Sequence, residues 1–228
     1  MRIVDHESHL CLLKSKLFEG LDEIALKQVF DVAHTRHFGA KKNVVVKGER
    51  PDFLFLLKKG RTRCYILTES GHEVLLLWAV PGDVLGLVTL LASPPAHLVN
   101  ATTVTPCDFL LWDHGEMRRL AKAHPQIAEN AFRIALHHLE EYMKRHTSII
   151  TQSAEARLAQ RLMQLATIAG EVRPSGIAID ITNEQLSSLS DIGFFTTSRI
   201  LSKWEHDGKL AKERGRVTLL APESLMAA

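Results

Sequence analysis

The chain has 228 residues, 46% of them apolar and 24% charged, with 28 Lys and Arg against 26 Asp and Glu for a net charge of +2. That balance supplies apolar side chains for one or two packed cores and excludes a disordered chain. The three cysteines, Cys11, Cys64 and Cys107, are odd in number and without paired spacing, which predicts a reducing compartment, the cytoplasm, over a disulfide framework.

At the start of the chain, Asp5, His6, Glu7 and His9 occupy the place of the apolar run that a signal segment needs, so none is expected. Between Phe38 and Asp113, Gly48, Gly60, Gly71, Gly82 and Gly86 separate short β-rich runs. These are Val44 to Val46, Phe53 to Leu57, Cys64 to Leu67, Val74 to Val80, Val99 to Val104 and Phe109 to Trp112. Short strands at such spacing predict a β-sandwich or jelly-roll barrel, with Cys64 and Cys107 in its core. The most apolar window, Val74 to Ala92, is cut by Pro81-Gly82-Asp83 into strand-sized pieces, so no membrane span and no membrane partner are expected.

After Pro125 the period changes. Phe132, Ala135, Leu139, Tyr142, His146 and Ile149 alternate three and four residues apart, with no Gly or Pro until Gly170, as along a heptad seam. A helix of about 28 residues would run roughly 42 Å, too long for a small domain to cover. A twin helix in a homodimer is the simplest cover, with the first turns lying along the chain's own barrel.

The stretch from Ile181 to Leu220 carries the densest signals. Thr182 and Gln185 stand at capping-box spacing, so a helix should begin near Asn183, with Leu186 and Leu189 on its apolar face. Asp191-Ile192-Gly193 interrupts it, the glycine expected to supply the turn's backbone freedom. A second helix follows from Phe195 to His206, with Thr197, Ile200, Leu201 and Trp204 on one face and Thr196, Arg199 and Lys203 on another. Asp207-Gly208 ends it. Lys212 to Arg216 then read as a basic hairpin turn feeding the strand Val217 to Leu220. This is a winged helix-turn-helix. Between Thr196 and Arg216 six bases face three acids, so positive charge gathers where phosphates would lie.

The order of barrel, seam helix and winged helix-turn-helix resembles the cyclic-AMP receptor and fumarate-nitrate regulator superfamily of bacterial transcription factors. The segments that carry the resemblance are LFEGL, VVVKGERPDFLFLLKKG, GHEVLLLWAVPGDVLGLVTLL, the seam helix, EARLAQRLMQLA and the closing helix-turn-helix. It implies an α+β fold divided into an effector barrel (1–124), a dimerisation helix (125–153) and a DNA-binding domain (154–228). It also implies a homodimer on a near-palindromic operator in double-stranded DNA, with RNA polymerase as a further partner.

On this reading Phe194, Phe195, Thr196, Ser198, Arg199 and Lys203 of the second helix meet DNA together with Arg214 and Arg216 of the wing. Arg199 can bond a guanine edge or a phosphate, and an aromatic ring suits a thymine methyl. Phe194 and Phe195 depart from the charged pair usual in the family, and one of them could instead pack under the turn. Cyclic-AMP-binding members carry a Glu soon after the GD-x-x-G turn and an Arg-Ser pair in the next loop. Here Leu87 follows Gly86, Val99-Asn100 stand near the Arg-Ser place, and the loop has no Arg. Tyr142 and Met143 would face an adenine. Cyclic AMP is therefore not expected, and the small-molecule effector stays unnamed.

An iron–sulfur sensor would need several N-terminal cysteines where only Cys11 stands, so no cluster is expected. His6, His9 and Cys11, or His34 and His37, have ligand-like spacing and keep a haem, metal or redox sensor open beside exposed, uncoordinated histidines. An enzyme is the reading of another class, but GxSxG, GxxxxGK[ST], GxGxxG and HExxH are all missing. A ligand-binding protein that no longer binds DNA is the remaining alternative, disfavoured by the basic helix and wing.

Overall fold

The computed structural model describes residues 11, 13–69, 71 and 73–225; His6 and His9, and the reading of the first ten residues, lie outside them. The chain divides into two compact units, residues 1–67 with 76–140 and residues 68–75 with 141–228.

A short helix, α1 (Glu23–Asp31), precedes eight strands, all in the first unit but for the start of β5: β1 (His34–Phe38), β2 (Asn43–Val45), β3 (Phe53–Lys59), β4 (Thr62–Leu67), β5 (Glu73–Ala79), β6 (Val84–Leu85), β7 (Asn100–Thr103) and β8 (Cys107–Asp113). They form two four-stranded sheets, in the orders β1-β8-β3-β6 and β2-β7-β4-β5. The runs at Phe53 and Phe109 are unbroken in hydrophobicity because their sheet is buried on both faces. Phe55, Leu57, Phe109 and Leu111 point into a core shared with Cys64, Ala101 and Cys107. Leu54, Leu56, Leu110 and Trp112 point the other way, into a second core with Leu17, Phe18, Val29, Met117 and Leu120. Each such burial contributes roughly 1.5 to 3 kcal/mol. Cys11 is also buried, its thiol donating to the Leu57 carbonyl at 3.2 Å.

β1 escapes sequence reading for a physical reason. Four of its five side chains are exposed and polar, so no apolar alternation marks it, and it is a strand because it pairs with β8 from His34↔Leu111 to Phe38↔Cys107.

Helix α2 (His114–Ala123) leads into α3 (Pro125–Thr151), which opens on a proline whose missing N–H costs nothing in the first turn. Ile127 and Asn130 are buried, and the Asn130 amide donates to the carbonyls of Leu17 and Glu19. The first turns thus lie on the chain's own barrel, as expected. Beyond them α3 buries no further side chain, and Phe132, Leu139, Tyr142 and Ile149 stand 65%, 52%, 63% and 42% exposed. Ala135 and His146 are exposed as well.

In the second unit α4 (Ala154–Ala169) restarts the helix after Gln152, because the Ser153 hydroxyl accepts from the Ala156 amide and caps it. There follow β9 (Glu171–Arg173), β10 (Gly176–Ile179), α5 (Asn183–Ser190), α6 (Phe194–His206), β11 (Leu210–Glu213), β12 (Arg216–Leu219) and a last turn of helix, α7 (Pro222–Leu225). The strands form one antiparallel sheet in the order β11-β12-β10-β9. Around it Leu158, Leu162, Leu186, Leu201, Trp204, Val217 and Leu219 close a core. The capping box at Thr182 and Gln185 forms in both directions, at 3.0 and 3.1 Å.

Candidate nucleic-acid interface

The turn between α5 and α6 corrects one expectation. Asp191, not Gly193, takes the left-handed conformation (φ 53, ψ 48), while Gly193 is extended and caps α6. An aspartate tolerates that region better than most side chains, and here its surroundings hold it there. The Arg145 guanidinium forks onto both Asp191 carboxylate oxygens at 2.5 and 2.8 Å and donates to the Ser188 carbonyl. Arg157 donates to the carbonyls of Ser190 and Asp191. Two cations from α3 and α4 therefore hold the turn that sets the direction of α6.

Helix α6 buries Thr197, Ile200, Leu201 and Trp204, the four residues of its predicted inner face. The outer face follows by geometry, since 3.6 residues per turn place Phe195, Arg199, Ser202 and His206 opposite. Phe195 is 86% exposed and Phe194 47%, their rings edge to face at 5.7 Å. Neither is core, which removes the reading of one packed beneath the turn; the turn is held by arginines instead. Arg199 is exposed and makes no ion pair among the described residues. Thr196 and Ser198 are half-buried on either side of it.

The other bases are less free. The Lys203 ammonium sits 3.0 Å from Glu155 Oε1, and Arg216 bonds Asp180 at 2.7 Å. Lys212 pairs with Glu205 at 3.0 Å. Arg214 is exposed at the tip of the β11–β12 hairpin, beside Gly215, whose φ of 77 closes a turn two residues long.

The residues expected to line an effector pocket have separate surroundings. Leu87 opens a 3-10 turn and packs against the outer barrel core. Val99 is half-buried, and Asn100 begins β7 with its side chain accepting from the Lys47 amide. Tyr142 and Met143 lie on the exposed face of α3, the Tyr142 ring stacked on His146. The residue that sequence reasoning passed over is His97. It is 9% exposed, and its ring lies 3.6 Å from where a Cβ on Gly86 would stand. Gly86 itself has φ +81, and a Cβ there would meet the Phe53 carbonyl at 2.8 Å, so the turn admits only glycine. Burial pushes the His97 imidazole below its usual pKa, against smaller opposing pulls from Glu49 and Asp52. Among the described residues no group of three or more His, Cys, Asp or Glu could hold a metal ion, and no helix is long and apolar enough to cross a membrane.

Two family models match the chain, the cyclic nucleotide-binding domain over residues 35–124 and the Crp-like helix-turn-helix domain over residues 156–228. The chain belongs to the CRP/FNR family of transcription factors. Among its relatives is the CRP-like cAMP-activated global transcriptional regulator of Mycobacterium tuberculosis, 23% identical over 218 residues that cover 95% of this chain and 96% of the relative. The fold is shared with the c-di-GMP responsive global regulator CLP of Xanthomonas campestris, with a TM-score of 0.75 at 18% identity over 87% of this chain and 99% of that one. It is shared also with FixK2 from Bradyrhizobium japonicum, with a TM-score of 0.72 at 18% identity over 86% and 96%.

Glu155 ties the outer surface of this Crp-like helix-turn-helix domain to its core, because one carboxylate oxygen accepts from both Lys203 Nζ and Trp204 Nε1 at 3.0 Å. The Lys203 hydrogen bond is the main cause that holds its pKa below the ordinary value, with Trp204 adding to it. A carboxylate with a lowered folded pKa stabilises above its unfolded pKa and loses that contribution as pH falls through the folded one. Glu155→Ala should therefore cost about 1 kcal/mol at neutral pH, after allowance for partial exposure. The gap from wild type should close as pH falls from neutral to below the ordinary glutamate range. Urea denaturation at both pH values checks this, and a gap that does not narrow in acid would assign the loss to packing instead.

Proposed function

We propose that this chain is a sequence-specific DNA-binding regulator of transcription. On this reading it acts as a homodimer on a near-palindromic operator, with an effector barrel (1–124), a dimerisation helix (125–153) and a DNA-binding domain (154–228). The observation that carries the reading is the sidedness of α6: Trp204 and Leu201 are fully buried while Phe195 and Arg199 face solvent. A helix seated so firmly, with an unpaired guanidinium one turn from its start, suits insertion into a major groove. Arg199 would fork onto a guanine edge, and Phe194 and Phe195 would contact thymine methyl groups. Arg214 and Arg216 on the wing and Lys203 on α6 would neutralise phosphates, with Thr196 and Ser198 as shorter polar contacts. Lys203 and Arg216 must first leave Glu155 and Asp180, so their net gain is smaller than that of the unpaired Arg199.

The dimer reading is supported by the exposed stripe on α3. Phe132, Ala135, Leu139, Tyr142, His146 and Ile149 follow a heptad, flanked by the equally exposed Leu136, Met143 and Ile150. So many apolar side chains on one helix are better explained by a twin helix than by water. Leu139→Glu would place two carboxylates at the centre of that seam. Light scattering at micromolar concentration should find dimers for the wild type and monomers for the variant; a monomeric wild type would overturn the reading.

The effector departs from the cAMP-activated relatives. Leu87 offers a ribose hydroxyl no acceptor, and burial pushes the pKa of the His97 imidazole beside Gly86 down, against a cationic role there. The loop that would hold a cyclic phosphate carries no Arg, so we infer that cyclic AMP is not the ligand.

The DNA reading is tested by selecting bound sequences from a random library. Arg199→Ala should weaken binding by about 1 to 3 kcal/mol and relax one base pair in each half-site. Arg214→Ala should weaken all sequences alike and lower the salt slope by about one unit. A motif altered by Arg214→Ala and unchanged by Arg199→Ala would show that another face of α6 meets the bases.

A further inference from the structure

A cleft of about 290 Å³ lies in the second unit, walled by the end of α3, by α4 and by the last turn of α5. Lys144, Arg145, Arg157 and Arg161 line it, against a single carboxylate, Glu141. Asp191 neutralises Arg145 from just outside, which leaves two positive charges in excess. Arg145 and Arg157 have a structural task, since their guanidinium groups hold the α5–α6 turn. Arg161 has none of that kind. Among the described residues it makes no ion pair, and its guanidinium donates only to the side-chain carbonyl of Gln164. Burial first, and then the neighbouring charge of Arg145, work against its protonated form.

A second observation points the same way. Ser190 also lines the cleft and is 3% exposed, yet its hydroxyl has no hydrogen-bond partner. Buried hydroxyls without partners are uncommon, because each forfeits its hydrogen bonds to water and gains nothing in return. A guanidinium without an ion pair of its own, drawn only at a distance to Asp191 and Glu141, and an unused hydroxyl therefore line one cleft.

We propose that this cleft binds a small phosphate-bearing anion. The fork of a guanidinium matches two phosphate oxygens, and the Ser190 hydroxyl can donate to a third. A volume near the lower bound for ligand sites fits a phosphate or a small phosphate ester rather than a dinucleotide. The site is separate from the outer face of α6, so it does not rest on the DNA reading. An anion there would bridge α4 to Ser190 at the end of α5, next to the residue that sets the turn into α6.

Calorimetric titration of the full chain with inorganic phosphate, and separately with glycerol phosphate, tests this against chloride at matched ionic strength. One saturable site per chain is expected for at least one probe; binding of the ester alone would place the phosphate on an organic ligand. Arg161→Gln should weaken it at least about tenfold, as loss of a charge-assisted hydrogen bond does. Ser190→Ala should weaken it severalfold while leaving the melting temperature without anion unchanged or raised, because the hydroxyl it removes is unsatisfied. No saturable binding of either probe overturns the proposal. So does undiminished binding by Arg161→Gln, which would place the anion on the basic outer face instead. Should Arg161→Gln fail to fold, the Ser190→Ala titration decides alone, and equal affinity there is the contrary result.

Discussion

The buried face of α6 is the constraint from which the surface of the second unit follows. Trp204 is fully enclosed, and enclosure of an indole demands a partner for its N–H, which Glu155 supplies from the first turn of α4. With Trp204, Leu201, Ile200 and Thr197 inside, the helix cannot rotate without exposing an indole and two large aliphatic side chains. Arg199 and Phe195 consequently face outward. The side chains proposed to read DNA are placed there by packing energy rather than by any contact of their own.

A second layer of constraint is electrostatic. The α5–α6 turn contains a non-glycine residue in the left-handed region, and Arg145 and Arg157 hold it by charge and by backbone carbonyls. A turn built on glycine would reach the same shape with less rigidity. The arginines make the angle between the two helices depend on groups that belong to α3 and α4, so a change at the end of α3 has a direct route to α6.

Much of this was legible in the sequence where local chemistry dominates. The capping box at Thr182 and Gln185, the four inward residues of α6 and the wing turn at Arg214-Gly215 each follow from short-range rules, and the structure forms them. The double-faced burial of β3 and β8 likewise left its mark as unbroken apolar runs. What was not legible depends on distant partners. β1 is polar and becomes a strand only by pairing with β8, where His37 hydrogen-bonds to Asp108, 71 residues along the chain. The left-handed Asp191 needs Arg145, and the histidine beside Gly86 is His97 because the loop folds back through Gly48 and Glu49. The pairing of Lys203 and Arg216 with acids was equally hidden, since positive charge was counted along the chain and not across the fold.

The proposed function joins the exposed stripe of α3 to the sidedness of α6: two copies of α6, related by a twofold axis, on one duplex. Sequencing the DNA that the wild-type protein selects from a random library measures this directly. The account predicts a short motif repeated in inverted orientation, with half-site centres about one helical turn apart, roughly 10 base pairs. A single unrepeated motif, or no enrichment over the starting library, would contradict it.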